Sequence, residues 1–277
     1  MKTIQMIACW SGEYPWYLPY FIHSCRFNSS VDFVIISDND KKFDNVPSNL
    51  IFIHKTLEEI ENIASQKLGF TAAIKNSYKL NDFKPAYGYI FPELIEGYDF
   101  WGHMDLDIIL GDLRYFLDEN MLSQYDFISV RHDYTTGCFC LYRNIPEINT
   151  LFMRSKDYKR VLSDSKHYCF DECNFAWDAL NAGQSIIDLH TEIESFTEVV
   201  KRAEMQKLIR AHFDFILLEG VPGKIVFTNG KIIFKNEMET LLYHLFWLKR
   251  VYNPKKTGTI PSKYWISPTR IYHYRYC

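Results

Sequence analysis

Short apolar runs alternate with helix-length segments from the first residues of the chain. Thr3–Cys9 and Asp32–Ser37 are apolar and rich in β-branched residues, which predicts two strands, and Trp16–Phe27 between them has the length of a helix. Asn49–His54 predicts a third strand. Leu57–Leu68 predicts a helix with apolar residues at 57, 60, 64 and 68, and Lys84–Ile95 another, capped by Asn81 or Asp82. Tyr98–Trp101 with Asp105–Leu110 predicts a strand that stops at the Gly111-Asp112 turn, and Asp126–Arg131 and Gly137–Tyr142 predict two more. After Pro146 the pattern turns helical through Leu151–Met153, Tyr158–Leu162 and Glu172–Leu180, then returns to a strand at Ser185–Leu189. Lys224–Phe227 and Lys231–Phe234 flank Asn229-Gly230, a strong hairpin signal, and Met238–Arg250 is apolar, aromatic and long enough for a helix. Strands alternating with helices at the start of a chain imply α/β construction around a partly parallel sheet. With no Ser/Gly linker and no internal repeat, the simplest division is one domain over residues 1–250 and a C-terminal extension over 251–277.

Composition removes several classes. A chain of 277 residues that is 47% hydrophobic and 23% charged is neither disordered nor of low complexity, so a packed globular protein is expected. Its 17% aromatic content suits a core and also flat platforms for planar or sugar-like ligands. A formal net charge of −3 argues against a general nucleic-acid binder. The charge is uneven: seven of the 31 basic residues and none of the 34 acidic ones lie from Lys249 onward, leaving an acidic body and a basic end. There, Lys255, Lys256, Lys263 and Arg270 are interleaved with Tyr252, Tyr264, Trp265, Tyr272, Tyr274 and Tyr276. This composition suits the surface of an anionic membrane, or a tail packed across the acidic body. No run of about 18 apolar residues is present, and Met1–Cys9 reads as a strand rather than a signal peptide, so a cytoplasmic protein is expected. Seven cysteines without a paired Cys-x-x-Cys pattern are expected to be reduced thiols.

The chemistry concentrates in Trp101-Gly102-His103-Met104-Asp105-Leu106-Asp107-Ile108-Ile109-Leu110-Gly111-Asp112. In a regular strand Asp105 and Asp107 would project to one side, where their repulsion calls for a cation. Carboxylate oxygens suit Mn²⁺ or Mg²⁺, ions that commonly bridge phosphates, so a diphosphate ligand follows. The plain reading of the same pair is two solvated carboxylates at a strand end. In an open α/β sheet the ligand lies beyond the carboxyl ends of the strands, which places Ala8, Cys9, Trp10, Ser37 and Asp38 beside a base and ribose. Trp10 is suited to stack on uracil and Asp38 to accept a hydrogen bond. No Gly-x-Gly-x-x-Gly or Walker-type loop is present, which disfavours a dinucleotide or NTPase site.

An Asp-x-Asp after an apolar strand, about 100 residues into an α/β chain, resembles the nucleotide-sugar-dependent glycosyltransferases of the GT-A fold, of the bacterial capsule and O-antigen type. The resemblance implies a Rossmann-like mixed sheet flanked by helices, with the C-terminal hairpin and a helical extension added. It also implies a divalent metal on Asp105 and Asp107 that binds the donor diphosphate. It gives Asp82 and Lys84, in Asn81-Asp82-Phe83-Lys84-Pro85, contacts to the donor sugar, with Lys standing where many relatives carry Arg. Without it, these two are a helix cap and an exposed base. His244 would complete the metal site and Lys249 contact the diphosphate, whereas by itself His244 reads as a core residue on an aromatic helix. Gly137, in Thr135-Thr136-Gly137-Cys138-Phe139, would let the sugar approach the backbone. Asp171 and Glu172 would face the acceptor, as base in an inverting reaction or orienting its hydroxyl in a retaining one. The alternative for that pair is a helix cap with a carboxylate at the helix N-terminus.

The expected activity is therefore metal-dependent transfer of a hexosyl group from a UDP-sugar to a glycan or lipid-linked glycan, in the cytoplasm or at the inner face of the membrane. Two alternatives stay open: a nucleotidyltransferase acting on sugar phosphates, which releases pyrophosphate instead of UDP, and a non-catalytic glycan-binding protein, indifferent to nucleotide and metal.

Overall fold

A computed structural model describes residues 1–255 and 258–273. Lys256, Tyr274, Arg275, Tyr276 and Cys277 of the basic end therefore lie outside the described residues. The strands are β1 (Ile4–Trp10), β2 (Asp32–Ser37), β3 (Leu50–His54), β4 (Phe100–Met104), β5 (Ile108–Leu110), β6 (Phe127–Ser129), β7 (Phe139–Arg143), β8 (Ala211–Phe213), β9 (Leu217–Leu218), β10 (Ile225–Thr228), β11 (Lys231–Phe234), β12 (Met238–Thr240), β13 (Leu242–His244), β14 (Lys263–Ile266) and β15 (Ile271–His273). The main sheet has the order β3-β2-β1-β4-β7-β6-β8. β1 pairs in parallel with β2 on one side and β4 on the other, and β4 meets β7 antiparallel, so the sheet is mixed and the strand order reverses direction between β1 and β4. Helices cover both faces, giving an α/β architecture with two large apolar clusters, one on each side of the sheet.

Local chemistry accounts for the elements that form as expected. Helix α1 (Leu18–Cys25) buries Leu18, Tyr20, Phe21 and Ile22. α2 (Leu57–Leu68) starts with a capping box, in which the Thr56 hydroxyl accepts from the Glu59 amide and the Glu59 carboxylate accepts from the Thr56 amide; it ends at Gly69 with φ 75°. Asn229 and Gly230 both have positive φ and close the β10–β11 hairpin. A third helix, α3 (Phe196–Met205), is capped by Ser195 in a segment to which the hydrophobic pattern assigns nothing.

Four expectations change. Lys84–Ile95 is a chain of short turns broken before Pro92; the side-chain cap belongs to Asn76, which accepts from the Lys79 amide, so Asn81 and Asp82 lie inside a helical turn. Ser185–Leu189 is a 3₁₀ turn, not a strand. Glu172–Leu180 is helical only from Trp177, because Cys169, Asn174 and Phe175 adopt left-handed φ and keep the preceding loop irregular. Met238–Arg250 is not a helix. It comprises β12, β13 and a single turn over Leu248–Val251, because its buried middle, Leu241–Leu245, is a short apolar run that carries no period to separate strand from helix.

β10 to β12 continue into a second, five-stranded antiparallel sheet of order β12-β11-β10-β14-β15, so Lys263–Ile266 and Ile271–His273 of the C-terminal extension share one sheet with the hairpin. Its inner face packs Tyr264 on Tyr20, in the first turn of α1, and Phe227 on Phe27, just beyond the helix's end. A third small sheet, β5-β13-β9, joins the segment after β4 to the end of the chain body. Among the described residues no helix is long and apolar enough to cross a membrane, and six cysteines carry free thiols.

Candidate functional site

Strand β4 ends at Met104, beside the end of β1, at the point where the sheet reverses direction. Such a point opens a crevice for ligands. Asp105 and Asp107 occupy it, but in the bend between β4 and β5 rather than on a regular strand. The alternation survives the bend: Leu106 is buried in the core while Asp105, with its side chain 31% exposed, and Asp107 face the crevice.

Strand pairing delivers the third residue. His244 lies opposite Ile108 in the β13–β5 ladder, and the next amide, of Leu245, donates to the Asp107 carbonyl at 2.7 Å. One ligand atom from each of Asp105, Asp107 and His244 falls within 4.8 Å of the other two. The His244 Nε2 is 3.4 Å from Asp107 Oδ2, and its Nδ1 is 3.0 Å from Glu219 Oε1. Glu219 is itself held by Arg131 Nη1 at 2.7 Å, and Arg131 donates through Nε and Nη2 to both oxygens of Asp133. Burial opposes a charge on His244, yet the carboxylates of Asp107 and Glu219 outweigh it and raise its pKa to about 10. Burial likewise opposes the charge on Asp107, but His244 and Lys249 push its carboxyl well below the usual range. Lys249 Nζ is 2.5 Å from Asp107 Oδ2.

This donor set fits a divalent cation. Two carboxylates and an imidazole are ligands for Mn²⁺ or Mg²⁺, with the imidazole favouring Mn²⁺. A carboxylate on the far nitrogen of a histidine fixes its tautomer and leaves the other nitrogen for the metal, the position Glu219 holds. Sequence reading missed Glu219, which lies in an unpatterned loop after β9; only its approach to His244 marks it.

The second cluster sits next to the first through Lys84. Only 4% exposed, its ammonium lies 2.5 Å from Asp105 Oδ1, 2.9 Å from the Gly137 carbonyl and 3.8 Å from Asp171 Oδ2. Burial works against this charge, but the Asp105 and Asp171 carboxylates more than compensate and raise its pKa. Burial pushes the Asp171 carboxyl well above the usual carboxylate range; Lys84 opposes the shift and Glu172 reinforces it. The oxygens of Glu172 accept from the Gly137 amide and from Trp177 Nε1, each at 2.8 Å. Neither acid opens a helix, as the preceding loop is irregular.

Gly137 is needed here for a reason other than ligand approach. A Cβ at this position would stand 2.7 Å from Asp171 Oδ2, 3.2 Å from Glu172 Oε1 and 3.3 Å from Lys84 Nζ.

Asp82 does not reach the crevice. It is fully enclosed, pairs with Lys79 Nζ at 2.9 Å and accepts from the amides of Tyr168 and Phe170. A carboxylate with both oxygens so occupied holds the loop before Asp171 and has none left for a sugar. Asp38 stands at the end of β2 as expected, but it accepts from Ser11 Oγ at 2.6 Å and the Gly12 amide at 2.8 Å, ordering the loop after β1. Ala8 is buried in the core, so only its backbone could meet a ligand; Trp10 is half-buried and donates to the Glu13 carbonyl. His103 is enclosed below the crevice, its Nε2–H on the Thr136 carbonyl and its Nδ1 accepting from Tyr142, with burial lowering its pKa to about 3.

Comparison with known proteins adds the following. Residues 6–275 match the model of a family described as of unknown function, DUF6625. No curated protein matches the chain in sequence. Among solved structures it is similar to a galactosyltransferase, LgtC, in complex with donor and acceptor sugar analogues, at 13% identity and TM-score 0.36, over 60% of this chain and 66% of that one, just under two thirds of its length. It is similar to an active-site mutant of LgtC at 13% identity and TM-score 0.35, over 79% and 75% of the two chains. It is also similar to mouse xyloside xylosyltransferase 1 in its apo form, at 9% identity and TM-score 0.47, over 88% and 96%.

Proposed function

The chain belongs to the DUF6625 family, whose description assigns no activity, and from its own site we propose that it is a metal-dependent glycosyltransferase of the GT-A type. The observation that carries this reading is the convergence of Asp105, Asp107 and His244 at the switch point of the main sheet, with Glu219 behind His244. The donor we assign is a UDP-hexose and the acceptor a surface glycan of the capsule or O-antigen kind, made on the cytoplasmic side.

In this reading Asp105, Asp107 and His244 hold Mn²⁺ or Mg²⁺, which when bound supplies positive charge against the donor diphosphate. Lys249, already beside Asp107, adds a second positive charge as the sugar–phosphate bond breaks and the nucleoside diphosphate leaves. Trp10 and Asp38, at the ends of β1 and β2, flank the nucleotide. Gly137, Lys84 and Asp171 line the sugar side. Of the two acids, Glu172 has both oxygens committed to Gly137 and Trp177, so we assign Asp171 to the acceptor. It takes the hydroxyl proton if the reaction inverts, or orients that hydroxyl if it retains.

The test is calorimetric titration with UDP in Mn²⁺ and then in EDTA, repeated on Asp105→Ala. Metal-dependent UDP binding that is lost in the variant supports the reading. Release of pyrophosphate rather than UDP on turnover would move the assignment to a nucleotidyltransferase. Sugar binding that ignores both nucleotide and metal would replace it with a glycan-binding protein.

A further inference from the structure

The outer face of the five-stranded sheet carries a feature that the transfer reaction does not use. Register places Ile233 opposite Val226, Val226 opposite Trp265, and Trp265 opposite Tyr272, so one apolar row crosses four strands on the side away from α1. Tyr272 is 49% exposed. Four exposed cations border the row: Lys224 and Lys235 at one end of β10 and β11, Lys263 at the other end beside Trp265, and Arg270 in the β14–β15 turn. The Lys263 ammonium lies 5.2 Å from the Trp265 ring and the Arg270 guanidinium 5.9 Å from that of Tyr272, so these charges stay on the aromatic face. Lys231 is also exposed but pairs with Glu239 at 3.1 Å.

Between the charges lies a depression of about 500 Å³ lined by Lys224, Val226, Lys235, Asn236, Glu237 and Trp265. Three of these, Lys224, Lys235 and Asn236, have φ of 52°, 54° and 62°. The left-handed region is unfavourable for a lysine, and such residues persist where surrounding structure enforces them, often at binding positions. The two sheet turns contrast: β10 and β11 are joined by Asn229-Gly230, which suits positive φ, whereas β11 and β12 are joined through Lys235-Asn236. Lys235 donates its amide to the Lys224 carbonyl, which holds the two lysines side by side at the rim.

We propose that this face docks on an anionic lipid surface, with a headgroup phosphate received between Lys224 and Lys235. Charge complementarity selects the occupant: five cations against two acids, Glu237 and the Lys231-paired Glu239 at the β12 end, border a row of aromatic and aliphatic side chains. Aromatic rings at the level of the headgroups, flanked by basic side chains, are what a membrane interface accommodates. A free phosphate would need the lysines but not the apolar row. The site draws on the hairpin as much as on the C-terminal extension, and its lining shares no residue with the Asp105, Asp107 and His244 cluster.

The test is flotation of the full chain with vesicles, without nucleotide or metal, so that its outcome is independent of the transfer reaction. One set is phosphatidylcholine alone, the other an equal mixture of phosphatidylcholine and phosphatidylglycerol. The variant is Lys224→Asn/Lys235→Asn, which removes both charges with a residue that tolerates positive φ. Each basic residue near an anionic surface is worth about fivefold in partitioning, so the double variant should bind the mixed vesicles about thirtyfold less, with an unchanged melting temperature. Tyr272→Ser should weaken binding as well, which a purely ionic site would not show. Failure of the unmodified chain to float with the mixed vesicles, or equal flotation of the double variant, overturns the proposal. Binding to dextran sulfate but not to vesicles also overturns it and assigns the face to an anionic glycan.

Discussion

Substituting Gly137 by alanine tests why a glycine stands at the junction of the two clusters. The new methyl would meet Asp171 Oδ2 at 2.7 Å, against 3.4 Å for ordinary contact, so the carboxylate must retreat by about 0.7 Å. Asp171 is 3% exposed and has a short side chain, and Glu172 is tied to the Gly137 amide and to Trp177, so neither yields freely. Overpacking of this kind costs about 1–3 kcal/mol. At about 2–4 °C per kcal/mol for a chain of this order of size, thermal unfolding should register it clearly. The cycle that isolates the cause adds Asp171→Ala. If the Asp171 carboxylate makes the glycine necessary, Gly137→Ala should cost at least about 1 kcal/mol less in the Asp171→Ala background than in the native chain. If the glycine serves only to let a ligand approach the backbone, Gly137→Ala will leave the melting temperature where it was, the cycle will show no coupling, and the steric reasoning fails.

Asp107→Ala should lower divalent-dependent donor turnover by about a hundredfold or more while far-ultraviolet circular dichroism still reports a folded chain; full metal-dependent turnover would refute the metal assignment. Glu219→Gln removes the charge behind His244 and should weaken Mn²⁺ binding about 10- to 100-fold, read from free Mn²⁺ by electron paramagnetic resonance, with little change in overall fold. Asp82→Asn leaves the enclosed Lys79 ammonium with the Val161 and Lys166 carbonyls but no counter-charge, and a loss of about 3–5 kcal/mol in urea unfolding is expected. Burial resists the charge on Asp82, but His167 and Lys79 lower its folded pKa below 3.8. Its contribution is therefore present above about pH 4 and lost as pH falls through the acid range, so the variant should show a shallower acid unfolding than the native chain. An identical acid profile would remove Asp82 from that role.

The sequence by itself determined what short-range physics controls. The alternating runs of β1, β2 and β3, the capping box and period of α2, and the Asn229-Gly230 hairpin were all legible, because each is set by neighbouring residues and the period of the apolar positions. The pairing of Asp105 with Asp107 was legible as chemistry for the same reason: two carboxylates one residue apart present their charges together whatever surrounds them. The tertiary structure decided the rest. Leu241–Leu245 has no readable period because it is almost wholly enclosed, so only its pairing with β5 revealed that His244 arrives on a strand opposite Ile108, next to Asp107. Glu219 carries no local signal at all, and 25 residues separate it from the histidine it holds. Asp82 and Lys84 differ by two positions and looked alike as donor contacts. Packing turned Asp82 inward to clamp the loop before Asp171 and brought Lys84 between Asp105 and Asp171. Side-chain period and turn chemistry act over a few residues, whereas the partners of a buried charge are chosen by whichever distant segments the fold brings within hydrogen-bonding distance.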